Sequence, residues 1–174
     1  SEIKNKYLKF RANDENMTFV YALAKLLKIK NNSFIKSMNS FTGLPHRYEF
    51  FLKKKGINFI DDSKATSFQA TKFALESSKN IYWIVGGLPK DKDKINLANV
   101  KNNIIKSYII GKNINFFKKK IKNNLNFFVG KNLRNSINQI LKDIKTFNKK
   151  NNTILLSPAS ASYDQYLNFE HRGN

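Results

Sequence analysis

The sequence predicts an α/β fold: a mostly parallel sheet with helices on both faces, preceded by a short helical segment. Three observations predict it. Between residues 57 and 157, short apolar runs alternate with stretches of helical spacing, the pattern of linked βαβ units. The run "IYWIVGG", 81–87, is apolar at every position before its glycines, as a strand buried on both faces is. A 174-residue chain with 41% hydrophobic residues and 15 phenylalanines also has the material for a real core.

The elements follow in order. Residues 16–29 carry apolar side chains at 19, 22, 23, 26 and 27, which is helical spacing, with Asn13 or Asp14 as the cap. A shorter helix fits 33–40 and stops before "TGLP", where Gly43 and Pro45 break it. "RYEFFL" and "INFIDD" read as a hairpin around "KKKG". A helix fits 66–78 and a strand 81–87. A helix near 96–103 leads to a strand at 104–110, and a helix at 114–120 leads to a strand at 125–129. The spacing of isoleucine and leucine predicts a helix over 133–147, and "TILLS", 153–157, is the last strand.

Composition narrows the function. Zero cysteines exclude disulfides and thiolate metal sites, and two histidines are too few for a histidine-based one. No apolar run approaches the roughly 20 residues that span a bilayer, and the first residues lack the core of a signal peptide, so a cytoplasmic protein is expected. Ser1 in place of methionine and the stop after "HRGN" suggest a fragment of a longer chain. The net charge of +20 invites a nucleic-acid partner. Against it, only four of the 32 basic residues are arginine, and lysine, asparagine and isoleucine rise together, as A/T-rich codons would produce. The 24 residues after Lys150 contain no lysine at all, which marks "LLSPASASYDQYLNFEHRGN" as a segment whose composition matters.

In such sheets, ligands bind where loops leave the carboxyl ends of the strands. "DDSKATS", 61–67, combines carboxylates, a lysine and hydroxyls leading into a helix, with Ser63 or Thr66 as its cap. "GGLPK", 86–90, has two glycines that permit close backbone approach and ends on Lys90. It is not a Walker A loop, and no G-x-x-x-x-G-K-[ST] occurs in the chain. "SPASAS", 157–162, is a run of small residues. The segment after it reads either as a site or as a plain helix capped by Ser162, with Tyr163, Tyr166 and Phe169 on one face. His46, in "TGLPHRYE", reads as a hydrogen-bonded packing residue.

Taken together, "GLPHRYE", "DDSKATS", "GGLPK" and "LLSPASASYDQYLNFEHRGN" resemble, in order and spacing, the C-terminal motifs of the D-glutamate-adding Mur ligases. "NDENMTFVYALA", 13–24, resembles the helix that closes the family's central ATP-binding domain, although Ala12 stands where histidine is common. Asp61, Ser67 and Tyr163 are further departures. The resemblance implies a Rossmann-like C-terminal domain over 42–174 and the end of the central domain over 1–41. It implies an ATP- and Mg²⁺-dependent ligase that joins D-glutamate to UDP-N-acetylmuramoyl-L-alanine through an acyl phosphate. The main ATP loop and the metal ligands would lie upstream, in partner domains of the same polypeptide, and the chain alone would be inactive. By the same resemblance, Lys90, Thr66 and Ser162 would bind the carboxylates of D-glutamate, with the Tyr163 backbone and the Phe169 ring shaping the pocket. Asp62 and Arg47 would face the ribose and phosphates of the nucleotide, Asn16 and Asn13 the adenine, and Lys64 would hold the reacting substrate. The alternatives are a related Mur or folylpolyglutamate-type ligase, a basic nucleic-acid-binding module, and an inert binding domain that kept only the fold. The pairing of "DSKAT" with "SPASAS" favours the D-glutamate enzyme over its relatives.

Overall fold

A computed structural model describes residues 3–5, 7–8, 14–90, 93 and 96–174. The chain divides into two compact units, Ser1–Leu44 and Pro45–Asn174.

The first unit contains α1 (Asp14–Leu26) and α2 (Asn31–Ser40). Tyr21 meets Phe34 edge to face at 5.3 Å, and Ala24 and Phe34 are its buried apolar residues. The buried Asn5 side chain donates to the carbonyls of Met38 and Phe41 at 2.7 and 2.6 Å, satisfying carbonyls at the end of α2. The rest of the apolar stripe of α1 is open: Phe19 is 77% exposed and Leu26 79%. The helix ends at Leu26 rather than 29, because Lys28 turns left-handed with φ 55°.

The second unit is a six-stranded sheet in the order β1-β2-β6-β3-β4-β5. The strands are β1 (Glu49–Lys54), β2 (Ile57–Asp61), β3 (Ile81–Gly86), β4 (Ile104–Ile110), β5 (Phe127–Lys131) and β6 (Asn152–Leu156). The β1–β2 hairpin is antiparallel, and every other neighbour pair is parallel. Both β3 and β6 lie inside the sheet, and all six residues of β3 are buried. The two-residue period of the strands then sorts side chains into two layers. Trp83, Val85, Ile109 and Leu155 join α3 (Phe68–Ser77) and α4 (Ile114–Ile121) in one core. Tyr82, Ile84, Tyr108, Ile110 and Ile154 join α5 (Leu133–Phe147) in the other.

The helix over 133–147 forms as its spacing predicts. Asn132 caps it by accepting from Asn135 N–H at 2.9 Å, and Asn148 ends it in the left-handed region. Three expectations are corrected. Residues 96–103 form turns and only a 3₁₀ turn, Lys101–Asn103, since the Asn96 side chain takes the Ala98 N–H and Asn103 donates to Leu75 C=O. The cap of α3 is Ser67, which accepts from Ala70 N–H, and neither Ser63 nor Thr66. After Ser162 the chain makes turns instead of a long helix, and only α6 (Phe169–Gly173), capped by Asn168, is helical.

Candidate functional site

Parallel strands deliver their following loops to one edge of the sheet, and the tail after β6 ties those loops together. Asp62 N–H donates to Leu156 C=O at 2.7 Å and Gly86 N–H to Pro158 C=O at 2.9 Å. Leu88 and Ala161 exchange both backbone hydrogen bonds, at 2.8 and 3.1 Å. Farther along, Lys112 N–H donates to Asp164 Oδ2 and Gln165 Nε2 to Lys131 C=O. The tail therefore crosses the carboxyl ends of β2, β3, β4 and β5.

Close packing explains the small residues. Ser157, Ala159 and Ser160 are fully buried and Ser162 is 2% exposed, so a lysine at any of them would have to bury its charge. Gly87 has φ +137°, and a Cβ there would lie 2.3 Å from Ala161 O. Only glycine permits the 86–90 turn to lie this close to the tail.

The 61–64 segment is fixed just as firmly. Asp61 Oδ2 meets His46 Nδ1 at 2.6 Å and Asp61 Oδ1 accepts from Ser63 N–H at 2.8 Å, so His46 is the bonded packing residue that was expected. Glu49 accepts from His46 N–H at 2.8 Å. Ligand atoms of His46, Glu49 and Asp61 lie within 4.8 Å of one another. The bonds among these residues brace the 61–64 segment against His46.

Asp62 is buried, taking the Tyr48 N–H at 3.0 Å on Oδ1 and the Ser157 hydroxyl at 2.6 Å on Oδ2. Burial pushes its carboxyl up to about 7 and neighbouring Asp61 adds to the rise, while Ser157, Tyr48 N–H and Arg47 oppose it. Arg47 is exposed.

Of the other expected site residues, Lys64 places Nζ 3.8 Å over the ring of Phe169, a close cation–π contact. Thr66 and Phe169 are half-buried, Lys90 is exposed and Tyr163 is 70% exposed. Lys64, Thr66 and Asp62 share one loop that meets Phe169, and Lys90 and Ser162 follow directly from the Leu88–Ala161 pair. Asn16 lies on α1 in the other unit and is exposed, and Asn13 lies outside the described residues.

One member of the edge was not anticipated. Arg172 is 2% exposed; its Nε donates to Ser63 Oγ at 2.9 Å and its Nη2 to Ser63 C=O at 2.7 Å. Burial lowers its pKa to about 10, opposed by Asp164, Tyr166 and Asp61, so it stays cationic near neutral pH. The available signal was its being one of four arginines among 28 lysines.

No family model matches the chain. It is 35% identical over 169 residues to the UDP-N-acetylmuramoylalanine–D-glutamate ligase of Rickettsia felis, covering 97% of this chain and 38% of that one. It is 39% identical over 163 residues to the ligase of the same name from the Wolbachia of Brugia malayi, covering 93% of this chain and 32% of that one. The chain thus spans about a third of the length of these relatives. Among solved structures, MurF from Acinetobacter baumannii shares the fold with a TM-score of 0.64 at 15% identity, over 84% of this chain and 34% of that one.

Proposed function

We propose that this chain, which belongs to the D-glutamate-adding Mur ligases as their C-terminal portion, supplies the D-glutamate side of the active site in the whole enzyme. The observation that carries the proposal is the convergence of "DDSKATS", "GGLPK" and "SPASAS" on one edge of the parallel sheet, joined by the Leu88–Ala161 pair. Residues 42–174 form the substrate-binding domain and 1–41 the end of the central domain. The open apolar stripe of α1 supports an upstream part of the same polypeptide as its cover.

The chemistry sets the demands on these residues. D-Glutamate brings two carboxylates and must present a free amine to the phosphorylated alanyl carboxylate of UDP-N-acetylmuramoyl-L-alanine. ATP, with Mg²⁺, supplies the phosphoryl group that activates that carboxylate, from a binding loop outside this chain. Exposed Lys90 offers a point charge to one carboxylate of D-glutamate, and Thr66 and Ser162 offer hydroxyl donors. The Phe169 ring walls the pocket and is held against Lys64. As the amine nitrogen bonds the acyl carbon, the carbon–oxygen bond to phosphate breaks and the nitrogen releases its proton. Tight positioning, with water kept from the acyl phosphate, is what the protein contributes. Asp62 and Arg47 face the nucleotide, and Asn16 and Asn13 the adenine. The reaction is cytoplasmic; among the described residues no helix is long and apolar enough to cross a membrane. Alone, the chain lacks the ATP loop and is inactive.

The test is Lys90→Ala in the whole enzyme. Loss of a charge-assisted bond of about 1.5–3 kcal/mol raises the KM for D-glutamate roughly 10- to 150-fold and leaves that for ATP near its original value. A larger effect on ATP would overturn the role of Lys90.

A further inference from the structure

Arg172 is the most buried charged side chain among the described residues, in a chain that elsewhere uses lysine for almost every cation. Its contacts form a closed circuit. Nε and Nη2 grip Ser63 by its hydroxyl and its carbonyl, and Ser63 Oγ in turn donates to Phe169 C=O at 2.8 Å, three residues before Arg172 on α6. Gly173 closes the same joint from the other side, since a Cβ on it would lie 2.2 Å from His46 Nδ1 and 2.5 Å from Asp61 Oδ2. The third nitrogen, Nη1, is buried without a hydrogen-bond partner among the described groups. It points toward the 86–90 turn, where a Cβ on Gly87 would be 3.3 Å away.

We propose that Arg172 is a positioning residue for the D-glutamate pocket: its guanidinium clamps Ser63 to α6 beneath Gly87 and so fixes Lys64, Lys90 and Phe169 relative to one another. The inference rests on the function proposed above. Arg172 commits Nε and Nη2 to Ser63 and so acts on the pocket through that residue. Ser63 is the residue before Lys64, so the clamp sets where the Lys64 ammonium meets the Phe169 ring. It also lies under the turn that leads to Lys90. The task demands a planar fork with several donors in fixed directions; an ammonium on a flexible stem cannot grip a hydroxyl and a carbonyl of one residue while filling the space below Gly87. That demand accounts for arginine here in a lysine-rich sequence.

The experiment uses the whole enzyme with Arg172→Lys, Ser63→Ala and the double variant, each checked for folding by thermal melting. Steady-state KM values are measured for D-glutamate, ATP and the UDP-linked acceptor. Misplacement of pocket groups by a fraction of an ångström raises the KM for D-glutamate about 10-fold or more while the two nucleotide KM values stay within about twofold. The double variant is no worse than Arg172→Lys alone, because both changes open the same clamp. An unchanged KM for D-glutamate in folded Ser63→Ala and Arg172→Lys overturns the inference, as does an equal rise for all three substrates. If Arg172→Lys fails to fold, Ser63→Ala alone decides by the same criterion. A wild-type enzyme without D-glutamate-dependent release of ADP would refute the function itself, and the inference with it.

Discussion

Asp62→Asn tests how burial sets the charge of the candidate site. The Asp62 carboxyl is 8% exposed, and its pKa rises from the ordinary 3.8 to about 7, chiefly through burial. Between these values the folded chain holds a proton that the unfolded chain has released. Stability therefore falls as pH rises from about 4 to 7 and levels off above, the reverse of an ordinary salt-bridged aspartate. The full interval corresponds to about 4 kcal/mol at most. Asparagine retains both contacts, since its oxygen accepts from Tyr48 N–H and its amide donates to Ser157 Oγ, yet it does not titrate. Urea unfolding of both proteins at several pH values can be followed by the fluorescence of Trp83, the sole tryptophan and fully buried. The variant gains about 2–4 kcal/mol on the wild type between pH 4 and 8. A difference that stays constant to about 0.5 kcal/mol, or that changes in the opposite sense, would refute the argument that burial dominates.

Asp143 gives the opposite pH dependence. Burial opposes its ionisation, but hydrogen bonds from Lys106, Tyr108 and Gln139 overcome this and hold its pKa below the usual range. Its contribution is thus present above the usual carboxylate pKa and is lost as acid protonates it; Asp143→Ala should cost about 3 kcal/mol near neutral pH in urea unfolding, and little at the lowest pH. Gly87→Ala should lower stability by about 1–3 kcal/mol or more in the same assay, because φ +137° and a Cβ 2.3 Å from Ala161 O cannot both be accommodated.

Local periodicity was enough for most of the architecture. The alternating runs placed all six strands to within about two residues, and the stripe of α5 gave its bounds as 133–147 because one apolar face had one layer to meet. The site was legible in part for the same reason: carboxyl-end loops are where parallel strands deliver odd chemistry, and three such loops were odd. What failed depended on contacts distant in sequence. Residues 96–103 have helical spacing, yet Leu97 and Val100 reach the core from turns, where Asn96 and Asn103 spend their side chains on the backbone. Tyr163 and Tyr166 share spacing with Phe169, but only one turn forms, over 162–166, where Asp164 and Gln165 bond Lys112 N–H and Lys131 C=O. Ser67 caps α3 although Ser63 looked equally able, because Ser63 is held 109 residues away by Arg172. The sequence by itself determined the sheet, its two layers and the loops that carry hydroxyls, carboxylates and Lys90, since these follow from which side chains repeat at which period. Only the tertiary structure decided that the lysine-free tail is a strap, buried through Ser162, and that Arg172 fastens it, because burial and hydrogen-bond partners are set by residues that meet only after the chain has folded.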